Sequence, residues 1–206
     1  RVLATDAQFL GGRATLREIE LRYGPAGTPP LHLLLVRPNA VRGRAPVFVG
    51  ANFHGNHTCV DSPLVALPQV WVPDRGPGAK VNRATAEGRG QSTSYPMAMI
   101  IDRGYAVATF YSGDLDPDKP DPSDGVQPHF PGYTWGTIAA WAWGLQRAVD
   151  HLVAGPGLDP RRIAAVGHSR LGKTAMLAAA LDQRIAMTIP CQAGCGGTAP
   201  SRGTVG

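Results

Sequence analysis

IAAVGHSRLGKTAML, residues Ile163–Leu177, joins a short apolar run to a helix-forming run through a turn at Gly167-His168-Ser169. Ile163–Val166 has the β-branched, apolar character of a buried strand. Leu171–Leu181 carries its large apolar residues at helical spacing. A strand, a Gly-x-Ser turn and an immediate helix form a nucleophile elbow, which lifts a serine hydroxyl above the carboxyl edge of a sheet. Gly167 permits the sharp turn, and the backbone N–H after Ser169 can donate to an oxyanion. The ordinary pattern is G-x-S-x-G; here Leu171 stands where the second glycine belongs and Gly172 follows one position later. A serine that merely caps the following helix is the competing explanation of the same residues.

Working outward, Arg17–Tyr23 alternates in character and Leu31–Val36 is a continuous apolar run, so both read as strands. Pro46–Phe53 (PVFVGANF) reads as a buried strand opening into the loop His54-Gly55-Asn56-His57-Thr58. Cys59–Ser92 is irregular and is expected to be a long insertion on one face of the domain. Ser94–Arg103 has helical spacing with Gly104 placed to end it, and Tyr105–Tyr111 is the next strand. Asp114–Pro131 is a loop heavy in Asp and Pro. Thr134–Val153 is the clearest helix, with Ile138, Trp141, Leu145, Val149 and Leu152 recurring at three- and four-residue steps. Asp159–Arg162 reads as a turn, Ile185–Ile189 as the last strand and Pro190–Gly206 as loop. Alternating apolar strands and helices predict an α/β fold of the α/β-hydrolase type, a mostly parallel sheet with helices on both faces. We expect one domain over residues 1–206, incomplete at its C-terminus, with the insertion at 59–92.

The 206 residues are 43% hydrophobic and 17% charged, with a net charge of +5. The basic residues are scattered, with no basic stripe and interleaved aromatics, which argues against a nucleic-acid partner. No apolar stretch approaches the roughly 18 residues of a membrane span. Cys59, Cys191 and Cys195 do not form a disulfide framework, and no Cys/His pairing completes a zinc site. No metal or organic cofactor is expected, and the chain is expected to be a monomer.

The histidines are His32, His54, His57, His129, His151 and His168. His32 and His151 read as structural. His54 and His57 sit where an oxyanion-hole loop belongs, and His168 reads as a packing residue directed away from the serine hydroxyl. In α/β-hydrolases the order along the chain is nucleophile, acid, base. No histidine follows Ser169, and the acidic residue that does, Asp182, is expected inside the helix facing solvent. Either the catalytic acid and base lie beyond Gly206 or the protein is not a hydrolase; the few strands after the elbow favour the first, and these 206 residues alone are then expected to be inactive.

With these residues in view, the sequence resembles the bacterial glucuronoyl esterases of carbohydrate esterase family 15. The signature is Gly167-His168-Ser169-Arg170-Leu171-Gly172-Lys173, in which G-x-S-R-x-G-K replaces the ordinary elbow. Further matching blocks are Asn52–Thr58, Asn82–Thr85, Arg103–Tyr105, Tyr111–Asp118, Trp135–Gly144 and Gly194–Gly197. The resemblance implies a secreted or periplasmic enzyme that cleaves esters of 4-O-methyl-glucuronic acid on xylan, as in lignin–carbohydrate linkages. It implies Ser169 as nucleophile, Arg170 as oxyanion stabiliser and Lys173 as a sugar-binding residue. The acidic residue of fungal members falls at Gln192, which cannot carry a carboxylate charge. Two other readings accompany this one: an acetyl-xylan esterase or peptidase of the same fold, and a carbohydrate-binding pseudoenzyme.

Overall fold

The computed structural model describes residues 1–76 and 78–200. Among them runs a seven-stranded sheet, β1 (Val2–Phe9), β2 (Ala14–Leu21), β3 (Leu31–Pro38), β4 (Ala45–Asn52), β7 (Ala106–Tyr111), β8 (Leu158–His168) and β9 (Met187–Cys191), in the spatial order β1-β2-β3-β7-β4-β8-β9. A small hairpin, β5 (Ala79–Lys80) and β6 (Arg83–Ala84), stands apart. The helices are α1 (Asn56–Cys59), α2 (Met97–Asp102), α3 (Thr137–Ala154) and α4 (Arg170–Leu181).

The sheet is mixed. β1, β2 and β3 pair antiparallel, β3 pairs antiparallel with β7, and β7, β4, β8 and β9 run parallel. Residues of β7 are buried throughout, as an apolar central strand covered on both faces must be. β3 shows how one strand serves two layers. Leu33 and Leu35 face a core built with Trp141, Leu145 and Leu152 of α3, whereas Leu34 and Val36 face a second core with Tyr95, Met97 and Ile101. α3 and α4 therefore cover one face, and α2 with the 59–95 segment covers the other.

Several expectations need correction. β1 was not foreseen. β8 begins at Leu158, so the expected turn at Asp159–Arg162 lies inside a strand whose Leu158 pairs with Ala45. Asp182 does not face solvent within a helix. It sits at the C-cap of α4, 8% exposed, where Arg184 donates to its two carboxylate oxygens at 2.8 and 2.6 Å. Burial is tolerated because the charge is paired.

The 59–92 segment is tied to the body of the fold. Cys59, Val60 and Val65 enter the second core. Arg89 donates to the carbonyls of Ser62 and Val65 at 2.5 and 2.7 Å, and the Tyr111 hydroxyl donates to Trp71 O at 2.7 Å. The Cys59, Cys191 and Cys195 thiols are free.

Candidate active site

From β4 the chain crosses to β7 on one side and then to β8 on the other. The carboxyl ends of β4 and β8 therefore diverge at a topological switch point, where open α/β sheets bind ligands. Phe53 and His54 leave β4 there, and Ser169 leaves β8 beside them.

Ser169 adopts φ 56° and ψ −125° between the last residue of β8 and the first of α4. This backbone region is strained for any residue with a side chain, and such strain clusters at functional sites. The serine hydroxyl makes no capping hydrogen bond to the helix, so the capping explanation fails. Ser169 N–H donates to Cys191 O at 2.9 Å, and Ser169 O accepts from Gly172 N–H and Lys173 N–H at 2.9 and 3.2 Å. The turn is thus held by its backbone and leaves the side chain free. The Arg170 N–H lies in the first turn of α4, where helix donors have no intrahelical partner and the dipole is positive.

The glycines explain the departure from G-x-S-x-G. A Cβ at Gly167 would fall 2.1 Å from Leu171 O, so only glycine fits there. A Cβ at Gly172 would meet the Ala193 side chain at 3.1 Å and Cys191 O at 3.2 Å. The close approach of α4 to the chain leaving β9 thus occurs one position later than in the ordinary motif, and Leu171 is instead buried.

Ser169 and Arg170 open into one cavity of about 750 Å³, whose walls include Phe53, His54, Trp71, Arg75, Asp118 and His168. The Arg170 guanidinium donates to Asp118, Nη1 to Oδ1 at 2.7 Å, with Nη2 to Oδ2 at 2.5 Å, and lies 5.6 Å from the centroid of the Phe53 ring. Lys173 is half-buried one turn further along α4 and is not among the cavity walls.

The loop that carries Phe53 and His54 is set from beneath by buried amides. Asn52 Nδ2 donates to Asn56 Oδ1 and Thr109 Oγ1 at 2.9 and 3.1 Å, and Asn52 Oδ1 accepts from Gly55 N–H at 2.8 Å. Burial lowers the pKa of His54, holding its ring neutral. His57 is wholly buried behind the loop, and burial and then the charge of Arg89 lower it to about 4. His32 is held above its ordinary value by a hydrogen bond to Asp114 at 3.1 Å.

His168 Nε2 lies 2.8 Å from Gln192 Oε1. Its ring is therefore engaged with the residue that stands where a carboxylate was sought. Sequence reasoning did not assign roles to Asp118, Phe53, Trp71 or Arg75. Two of them, Phe53 and Asp118, lie in blocks that carry the family resemblance, which was the available signal.

The family model described as "Glucuronyl esterase, fungi" matches residues 89–205. "Carbohydrate esterase MZ0003", from an unknown prokaryotic organism, is 39% identical over 215 residues, covering 98% of this chain and 50% of that protein. The "4-O-methyl-glucuronoyl methylesterase" of Phanerochaete carnosa is 32% identical over 175 residues, covering 82% of this chain and 40% of that protein. Among solved structures, a glucuronoyl esterase from Solibacter usitatus superposes with a TM-score of 0.85 at 36% identity, covering 97% of this chain and 53% of that one. The chain spans about half the length of the curated relatives it matches.

Proposed function

Because the chain belongs to the glucuronoyl esterases of carbohydrate esterase family 15, we propose that it carries the nucleophile and oxyanion side of an enzyme hydrolysing esters of 4-O-methyl-glucuronic acid on xylan. The observation that carries this reading is Ser169: strained backbone, an uncapping side chain and an open cavity shared with Arg170. Ser169 Oγ attacks the uronate carbonyl carbon. A general base takes the hydroxyl proton and returns it to the departing alcohol, leaving an acyl-enzyme that water then cleaves. The Arg170 N–H and guanidinium receive the negative charge that forms on the carbonyl oxygen.

No histidine follows Ser169, and the His168 ring is engaged by Gln192. We therefore place the catalytic acid and base outside these 206 residues. Lys173 is assigned to the sugar hydroxyls, one helical turn from the nucleophile. The residues form one domain, with the 59–92 segment supplying Trp71 and Arg75 to the wall of the cleft that Ser169 shares. A polymeric, lignin-linked xylan places the enzyme outside the cytoplasm, in secreted or periplasmic form. No helix among the described residues is long and apolar enough to cross a membrane.

The test compares methyl glucuronate with acetylated xylose as substrates for the complete gene product that carries this sequence. Uronate ester hydrolysis abolished by Ser169→Ala is the expected result. Preference for the acetyl ester, or activity that survives Ser169→Ala, refutes the proposal.

A further inference from the structure

We propose that Asp118 is the positioning residue of this site: its carboxylate clamps the Arg170 guanidinium in place to meet the oxyanion formed at Ser169. The inference rests on the esterase reading above.

Arg170 needs such a clamp. Its side chain is about half exposed, and a free arginine side chain carries about 2 kcal/mol of rotamer entropy that must be lost before it can act as a fixed donor. Preorganised donors stabilise a developing charge because they need no reorganisation at the moment of reaction. Asp118 grips both terminal nitrogens at once, Nη1 at 2.7 Å and Nη2 at 2.5 Å. This fork-to-fork geometry fixes orientation as well as distance. Phe53 supports the guanidinium from a second direction at 5.6 Å.

The clamp is itself anchored. Asp118 lies in the segment after β7, and two residues earlier Asp116 O accepts from the fully buried Trp141 Nε1 at 2.8 Å. Pro117 and Pro120 flank Asp118 and restrict the backbone. The next residue, Lys119, pairs with Asp124 at 2.9 Å. The carboxylate is thus referenced to the core through α3, while Phe53 is referenced to it through β4. Arginine has five N–H donors, and the clamp occupies one on each terminal nitrogen. Three remain for the reacting carbonyl.

A clamp and a plain structural contact make different predictions. We would measure steady-state hydrolysis of methyl glucuronate by the complete gene product and its Asp118→Ala, Asp118→Glu, Arg170→Ala and doubly substituted forms. The clamp predicts about a tenfold lower kcat for Asp118→Ala with KM little changed, because the lost interaction belongs to the transition state. It predicts partial recovery in Asp118→Glu. It also predicts that Asp118→Ala costs nothing further in the Arg170→Ala background. An unchanged or raised kcat in Asp118→Ala, or independent, multiplying losses in the double variant, overturns it. Ser169→Ala run alongside separates the two levels of argument: if it abolishes turnover while Asp118→Ala changes nothing, the clamp alone fails. A readout without turnover is the ¹⁵N order parameter of the Arg170 Nε–H. A rigid signal in the parent that becomes mobile in Asp118→Ala supports the clamp, and a mobile signal in the parent refutes it.

Discussion

The backbone of Ser169 sets a measurable stability difference between two replacements that both remove the hydroxyl. At φ 56° and ψ −125°, any residue with a Cβ is strained by about 1–3 kcal/mol. Ser169→Ala removes the oxygen and keeps that strain. Ser169→Gly removes both, but adds about 0.5–1 kcal/mol of unfolded-chain entropy that folding must overcome. The hydroxyl makes no capping bond, so its loss is common to both and cancels. The difference leaves Ser169→Gly as stable as Ser169→Ala or more stable, by up to about 2.5 kcal/mol. Urea unfolding followed by circular dichroism on the two variants in parallel measures it. If Ser169→Ala proves more stable than Ser169→Gly by the full entropy term of about 0.5–1 kcal/mol, the turn at Ser169 is not strained.

Two further outcomes follow from the same structure. Gly167→Ala should disrupt folding or abolish the elbow, since its Cβ would fall 2.1 Å from the backbone oxygen of Leu171, whereas Gly172→Ala meets its neighbours at 3.1 Å and should cost only about 1–3 kcal/mol. Comparable unfolding midpoints for the two variants would contradict this. His57 takes up a proton near 6.5 when unfolded but only near 4 when folded. The unfolded chain therefore binds more protons between these values, so stability is level above about pH 6.5 and declines as pH falls toward 4. The interval corresponds to roughly 3 kcal/mol. His54 and His151 are also lowered by burial and act in the same direction. The informative quantity is therefore the loss of slope in His57→Gln relative to the parent, and an unchanged slope would show that His57 is not held neutral.

What could be read from the sequence divides by range. The turn at Ser169 is a local event: a strand, a glycine, a serine and a helix follow one another within a dozen residues, and each leaves its mark in composition. The central strands were equally plain, because burial on both faces writes a continuous apolar run such as that of β7. β1 escaped because it lies at the sheet edge with mostly exposed residues, so no burial signal marks VLATDAQF. Asp182 was misplaced because it directly follows the helical run that ends at Leu181, and only the coordinates show Arg184 folding back to pair with it. The same distinction splits the site. The turn that presents Ser169 is local and was legible, but the electrostatics around it depend on where loops from three strands come to rest. Arg170 and Asp118 are 52 residues apart, and no periodicity or spacing links them. A surface arginine on a helix is by default a solvated charge, and only the coordinates show Arg170 paired fork-to-fork with Asp118, beside Phe53, on the cavity it shares with Ser169.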